Sequence, residues 1–322
     1  MSFFEVKDLR MHYRTSRGYI KAVDGVSFEV KKGEALGLAG ESGCGKTSVG
    51  LSILRLLPPN ASITQGRIVF EGEDLLEKSE KEMRRIRWKS IAMVFQSAMN
   101  ALNPVYRVEE QIVEAILAHE EVTREEARER VSRLFELVGL EPELAKHFPH
   151  EYSGGMRQRA VIAMALACYP KLLIADEPTT ALDVIHQRQI IEKIRELRER
   201  LGMTLIYITH DISIIAETCN SMAVMYAGRI VEYSGVEALL SRPLHPYTQG
   251  LIRSIPALKG PLERLASIEG EAPNLLSPPK GCSFHPRCPY SKEICARDAP
   301  SLRLINGRHY AACHFAGEIP WP

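Results

Sequence analysis

The sequence predicts an α/β chain: a core of buried strands and helices carrying a phosphate-binding loop, with an antiparallel β subdomain before it, a helical insertion within it and a small extension after it. Three observations carry this reading. Gly40-Glu41-Ser42-Gly43-Cys44-Gly45-Lys46-Thr47 has the spacing GxxxxGK[ST]. It lies between the apolar run Ala35 to Ala39, which reads as a buried strand, and Ser48 to Leu57, which is apolar at helical spacing. Three later apolar runs, Ile91 to Phe95, Leu172 to Ala175 and Thr204 to Thr209, each end on polar residues: Gln96, then Asp176 and Glu177, then His210.

Size and charge bound the rest. A chain of 322 residues with 45% apolar content can bury one large domain plus an appendage, or two domains. Forty-one basic against forty acidic side chains leave a net charge of +1, which excludes a global field for nucleic acid or an anionic surface. No run approaches the roughly 18 apolar residues of a spanning helix, and Met1 to Asp8 lacks a signal-peptide pattern. A cytosolic protein is the expectation.

Taken in order, Phe4 to Lys7 and Ala22 to Val30 alternate as strands of a small antiparallel sheet, with Tyr13 and Tyr19 on the basic connection between them. In the loop, glycines let backbone N–H groups turn toward phosphate oxygens, and the following helix adds its positive end. Lys46 would neutralise the β- and γ-phosphates and the Thr47 hydroxyl would ligate Mg²⁺. Pro58-Pro59-Asn60 stops the helix, Gly66 to Gly72 is a further strand, and Glu77 to Lys89 a charged helical face. Residues 97 to 150 are predominantly helical, with a capping box at Thr123 and Glu126 followed by Ala127, Val131, Leu134, Phe135 and Val138 on one face. The insertion, counted from about 97 to 165, takes in the helix that follows Ser153-Gly154-Gly155, itself a second arrangement suited to an anion. Asp176 and Glu177 point to different sides at a strand end, so one can hold Mg²⁺ while its neighbour faces the γ-phosphate. Acids capping a buried strand are costly unless paired or cation-bound. Asp183 opens a helix from about Ile185 to Leu201, and Met222 to Glu232 forms a hairpin through Ala227-Gly228.

The ordered set over residues 3 to about 240 resembles the ATPase subunit of ABC transporters: the phosphate loop, Gln96 of the Q-loop, the Ser153-Gly154-Gly155 signature, Leu172 to Asp176 with Glu177, Asp183 of the D-loop, and His210 of the switch. Tyr152 and Met156 depart from the Leu and Gln of the commonest signature, leaving the serine and the backbone donors in place. The tail, with His245-Pro246-Tyr247-Thr248, Ser254-Ile255-Pro256 and Arg264 to Gly270, resembles the extension of oligopeptide and dipeptide transporter ATPases. The resemblance implies a P-loop NTPase (RecA-like) core through about residue 240 and an extension over 241–322. Single P-loop and absent heptad run set the chain apart from soluble ABC ATPases of DNA repair or translation.

Residue by residue, the resemblance implies a head-to-tail sandwich. Tyr13 holds adenine, and Ser42, Gly43, Cys44, Gly45, Lys46, Thr47 and Ser48 hold the phosphates. Thr47, Gln96 and Asp176 surround Mg²⁺. Glu177 acts as base toward the attacking water, while His210 and Gln96 complete the catalytic set. Ser153, Gly154, Gly155 and Asp183 act across the interface of a second ABC ATPase, in a heterodimer within the complex or a homodimer in isolation. Two membrane permeases, and indirectly an extracytoplasmic solute-binding protein, would make this a peptide importer at the cytoplasmic face of the membrane; members of the subfamily also serve nickel or oligosaccharides. Of seven cysteines, Cys282, Cys288, Cys295 and Cys313 follow the spacing Cys-x5-Cys-x6-Cys-x17-Cys. Thiolate chemistry admits iron–sulfur or zinc, with His285, His309 and His314 keeping a mixed zinc site open. Family likeness implies a [4Fe-4S] cluster.

Overall fold

Apolar and polar residues alternate from Phe4 well past the short strand expected there, and the chain obeys the alternation. In the computed structural model, which describes residues 2–96, 101–179, 182–254 and 268–321, β1 runs over Phe4–Thr15 and β2 over Gly18–Val30. They form one antiparallel hairpin in which Tyr13 faces Ile20 and Arg14 faces Tyr19. Both tyrosines therefore lie within strands rather than on a connection, because Arg10, His12 and Arg14 occupy the more polar side of a strand that Leu9 and Met11 anchor in the core. The chain then makes β3 (Ala35–Ala39), fully buried, α1 (Lys46–Leu54), β4 (Ala61–Phe70) and β5 (Glu73–Asp74). Strands β2-β1-β4-β5 make the antiparallel sheet expected at the N-terminus.

The middle of the chain is mostly helical. α2 (Glu80–Ile86) starts on a Ser79/Glu82 capping box, and β6 (Ile91–Val94) follows. α3 (Val108–His119) and α4 (Arg124–Leu137) come next, the latter with the reciprocal Thr123/Glu126 box. Ala127, Val131, Leu134 and Phe135 are buried as their spacing requires. Burying the larger side chains contributes about 1.5–3 kcal/mol each. Gly139, at φ 74°, ends the helix. α5 (Gly154–Ala165) packs against α3, α4 and β6, and β7 (Leu172–Asp176) pairs with β6 in parallel. α6 (Val184–Leu201), with Ile190, Ile191, Ile194 and Leu197 inward, ends on Gly202 in the left-handed region. β8 (Thr204–Ile208) lies beside β7.

The last third adds α7 (Ile212–Thr218), β9 (Ser221–Tyr226), β10 (Arg229–Gly235), α8 (Val236–Ser241) and α9 (Pro246–Arg253), then α10 (Glu293–Arg297), β11 (Arg303–Asn306) and β12 (His309–Ala311). β9 runs parallel to β3 and turns into antiparallel β10 through Ala227 and Gly228, both at positive φ, the turn its dipeptide was expected to make. β12 joins the far side of β10 and β11 follows it.

The contacts divide into two units. One comprises Met1–Lys31, Ala35–Leu76 and Ile208–Pro322; the other comprises Lys32–Glu34 and Glu77–Tyr207. In the first unit, Tyr247 and Phe284 of the extension share a core with Ala39, Val224 and Tyr226. That unit also buries a polar clasp: Glu232, with no exposure, accepts from the N–H groups of Leu244 and His245 at 2.7 and 2.9 Å and lies 2.6 Å from His309 Nε2. The expected segments at Ala181, from Ile255 to Ser267, and at the start of the insertion from 97 to 100 lie outside the described residues.

Candidate functional site

The phosphate loop belongs to the first unit, and its glycines are required by geometry. Gly45 stands at φ 106°, where an added Cβ would lie 2.0 Å from the Ala22 carbonyl oxygen; at Gly40, φ 146°, it would lie 2.3 Å from Met225 O. The loop is thus pressed against β2 and β9. α1 begins with Gly45 at its N-cap, without a side-chain cap and without an acidic residue in its first turn. Its N-terminus therefore keeps the partial positive charge of a helix start. Lys46 is 5% exposed, and its Nζ donates to the carbonyls of Gly40 at 2.6 Å and Glu41 at 3.0 Å. Ser42 and Gly43 are exposed at the rim, Thr47 half-buried and Ser48 buried. Tyr13 shares a 3.1 Å hydrogen bond with Ser48 Oγ, which puts the expected base-holding ring beside the first turn of α1. Cys44 is buried and burial pushes its thiol pKa up, although Lys46 opposes the shift. His210 is exposed, one residue beyond Thr209, whose N–H donates to Leu38 O in β3 at 3.2 Å. Within this unit the structure therefore gathers Tyr13, residues 42–48 and His210 around the carboxyl end of β3.

The second unit holds the remaining residues in two groups. At the end of β7, Asp176 is 1% exposed and Glu177 follows at φ 44°, a left-handed conformation that turns its side chain off the strand direction. Gln96 Nε2 donates to Glu177 Oε2 at 3.0 Å, so the expected base and the Q-loop residue are hydrogen-bonded to each other. The other group centres on Ser153, exposed at the N-cap of α5, whose Oγ accepts from Met156 N–H at 3.3 Å. Gly155 leaves room for the His186 ring: a Cβ there would come 2.8 Å from His186 Cδ2. His186 Nδ1 in turn lies 2.5 Å from Asp183 Oδ2, while Asp183 Oδ1 accepts from the N–H groups of Ile185 and His186 at 3.1 and 3.0 Å. His186 thus ties the signature to Asp183, a link the sequence reading missed; the signal was an Asp and a His three apart at a helix start. Tyr152, which replaces the usual leucine, is buried and donates its hydroxyl to Leu144 O.

The tail cysteines converge without closing into a formed metal site. Cys282, Cys288, Cys295 and Cys313 line one small pocket together with Phe284, Tyr290 and Phe315. Burial pushes Cys288 and Cys313 up to about 11, and the neighbouring thiols add to the shift. Among the described residues, no group of three or more His, Cys, Asp or Glu side chains is arranged to hold a metal ion. The four cysteines of the expected metal centre therefore share a pocket as a donor set without an assembled site among the described residues, Cys295 and Cys313 buried and Cys282 and Cys288 half-buried. His309, kept open above as a zinc ligand, is committed to Glu232, and His314 Nε2 lies 2.9 Å from Asp298 O. Among the described residues no helix is long and apolar enough to cross a membrane.

Known proteins match this arrangement along the chain. The family described as ABC transporter matches residues 23–180, and that described as oligopeptide/dipeptide transporter, C-terminal region, matches residues 231–295. The chain is 49% identical to the "Probable peptide ABC transporter ATP-binding protein y4tR" of Sinorhizobium fredii, over 98% of this chain and 95% of that one. It is 46% identical to the oligopeptide transport ATP-binding protein OppD of Bacillus subtilis, over 95% and 87%. The dipeptide transport ATP-binding protein DppD of Escherichia coli is 42% identical, over 98% and 97%. Among solved structures, the dimeric post-hydrolysis state of the ATP-binding cassette MJ0796 bound to ADP and Pi superposes with TM-score 0.65 at 28% identity, covering 72% of this chain and 98% of that one. The antiparallel sheet, buried strands and helices are those of an ABC cassette, and the chain belongs to the ATP-binding proteins of the ABC transporter family, with the C-terminal region of its oligopeptide and dipeptide members.

Proposed function

We propose that this chain hydrolyses ATP to drive the uptake of peptides through separate membrane subunits, with a cassette through about residue 240 and an extension over 241–322. The observation that carries the reading is the phosphate loop: left-handed glycines fixed against β2 and β9, a helix N-terminus bare of side-chain caps, and Lys46 held over the loop on its own carbonyls. Phosphate oxygens would draw the ammonium off those carbonyls and take its charge, together with the loop amides and Ser42 and Ser48. Tyr13 would stack on the base. Mg²⁺, when bound, lowers the charge barrier between phosphate and nucleophile, and Thr47, Gln96 and buried Asp176 are the oxygen donors suited to it.

Glu177 would accept the proton of the attacking water, aimed by the Gln96 hydrogen bond that already fixes its carboxylate. His210 would donate to the transferring γ-phosphoryl group. Ser153, Gly154, Gly155 and Asp183 of a second ATPase would close over the same phosphates, which makes hydrolysis depend on a dimer and lets loss of the γ-phosphate open it. We place the working assembly at the cytoplasmic face of a membrane: a related but different second ATPase, two permeases, and a solute-binding protein outside. The four tail thiols supply the donor set of a [4Fe-4S] cluster, and their common pocket supports that reading. Iron and sulfide analysis of anaerobically purified protein checks it; stoichiometric zinc or metal-free thiols would sink it.

E177Q tests the main reading. It should retain Mg-ATP binding while turnover falls about 100- to 10,000-fold. Turnover near that of the parent protein would remove Glu177 from the role of base.

A further inference from the structure

Glu41, the second residue of the phosphate loop, is held from three sides by groups of its own unit. Its N–H donates to the Tyr247 hydroxyl at 2.9 Å, and its carbonyl accepts from Lys46 Nζ at 3.0 Å. Its carboxylate takes two parallel hydrogen bonds from Arg287, at 2.8 and 2.9 Å. Arg287 is fixed in turn. Nε donates to Glu269 O at 3.0 Å, a terminal nitrogen donates to Ile268 O at 3.3 Å, and the guanidinium lies 5.8 Å from the centre of the Tyr226 ring. The Arg287 side chain is 6% exposed and that of Glu41 29%.

A carboxylate on a loop that receives phosphates is a like charge beside the ligand, and in a partly buried setting it opposes binding. A bidentate guanidinium both cancels that charge and dictates where the carboxylate points, which a single ammonium contact would not do. Arg287 cannot swing to the nucleotide itself, since two backbone carbonyls and the Tyr226 ring hold it where it is. Its task is therefore carried out through Glu41.

We propose that Arg287 is a positioning residue for the nucleotide: by pairing with Glu41 it holds the phosphate loop in its receiving shape and removes a charge that would compete with the triphosphate. This rests on the reading that residues 40–47 receive the nucleotide phosphates. Because Arg287 lies between Pro286 and Cys288, a lining residue of the thiol pocket, the extension is part of the nucleotide site and not an appendage to it.

The test compares the full chain with R287A, R287K, R287A/E41Q and K46A, measuring Kd for a fluorescent ATP analogue with Mg²⁺, then KM and kcat for ATP in the assembled transporter. R287A should raise Kd and KM about tenfold and leave kcat at saturating ATP within about twofold. R287K, which keeps the charge and loses the paired bonds, should fall between R287A and the parent. R287A/E41Q should recover most of the lost affinity, because the uncompensated carboxylate is gone; a merely structural defect would not be relieved by a second substitution in the loop. Kd within about twofold of the parent in both R287A and R287K overturns the proposal, and so does a double variant that binds no better than R287A. If R287A does not fold, R287K and the double variant decide between the same outcomes. K46A separates the two readings: parent-like binding by K46A overturns the phosphate-loop assignment, whereas loss of binding in K46A with Arg287 variants unaffected overturns only the role of Arg287.

Discussion

The helices α1 and α5 both begin on glycine-bearing turns, and they treat their first-turn amides in opposite ways. α1 starts after Gly45 with no side-chain cap, on a loop closed by the Lys46 ammonium bonding to its own carbonyls. α5 starts after Ser153, whose hydroxyl caps Met156 N–H. An N-cap hydroxyl is worth about 0.5–2 kcal/mol to a helix, so α1 forgoes a stabilising device that α5 keeps. The difference fits two parts in one site. A loop that binds phosphate within its own subunit is preorganised by backbone strain and leaves the helix start for the ligand. On the proposed function, a signature that would meet phosphate only when a second subunit arrives has to stand complete by itself in the meantime.

The largest effect should come from Gly45→Ala. The new Cβ meets a backbone carbonyl oxygen at 2.0 Å and φ is 106°, so neither side-chain adjustment nor an ordinary backbone conformation relieves it. Nucleotide affinity should fall more than about 100-fold. Gly43→Ala is the control, because φ is 80° but nothing lies within 4 Å of the added atom. The cost there is the left-handed strain alone, about 1–2 kcal/mol. Equal losses from the two substitutions would show that loop strain, not the contact with β2, governs binding.

Ser153→Asp asks whether the cap and the phosphate contact are separate duties of one residue. Aspartate caps about as well as serine, so the melting temperature of the isolated chain should hold. A negative charge facing the phosphates across the interface should lower hydrolysis about 100-fold. Unimpaired hydrolysis would break the comparison by removing Ser153 from the site.

Acid should distinguish the two helix starts. His245 is fully buried, its pKa lowered to about 4 mainly by desolvation, and its Nδ1 accepts from Tyr247 N–H at the start of α9. The unfolded chain binds this proton near pH 6.5 and the folded chain only near 4. Stability is thus unaffected above about pH 6.5 and falls as pH drops toward 4, by up to roughly 3 kcal/mol. Since Tyr247 also holds Glu41 N–H, the phosphate loop should loosen over the same interval. Hydrogen exchange between pH 7 and 4.5, corrected for intrinsic rates, should show protection lost around residues 40–47 and 245–250 before it is lost around α5. Simultaneous loss at both places would mean that His245 does not control the loop.

What the sequence made legible followed from contiguity and period. The phosphate loop could be read because its backbone and its cation lie in eight consecutive residues, and α4 because Ala127, Val131, Leu134 and Phe135 repeat at helical spacing. The ends of β6, β7 and β8 could be read because polar residues stop apolar runs. Cys44 lies inside the motif, and as a buried thiol with a raised pKa it is a poor target for a thiol reagent. Pairings between distant residues left no local trace. Arg287 and Glu41 are 246 positions apart and each, read alone, is an ordinary surface charge. The full length of β1 was hidden because its polar side carries arginines that resemble a basic loop. Four cysteines at suggestive spacings gave the donor set, but spacing does not say how close buried thiols come to one another.

The smallest effect, Ser153→Ala, bears most directly on the contrast between the two helices. Alanine removes the acceptor for Met156 N–H and leaves Gly154 and Gly155 with their backbone donors. The isolated chain should lose about 1 kcal/mol, a fall of about 2–4 °C in melting temperature. Saturating nucleotide should not restore that loss in a monomer, since the phosphates there rest on α1 and not on α5. In a dimer closed around ATP, the γ-phosphate would offer α5 the acceptor that the serine had supplied, so the difference between parent and variant should shrink. A Ser153→Ala chain as stable as the parent would show that the 3.3 Å contact contributes nothing as a cap. α5 would then start as bare as α1, and the two helix ends would differ only in which subunit brings them to the phosphate.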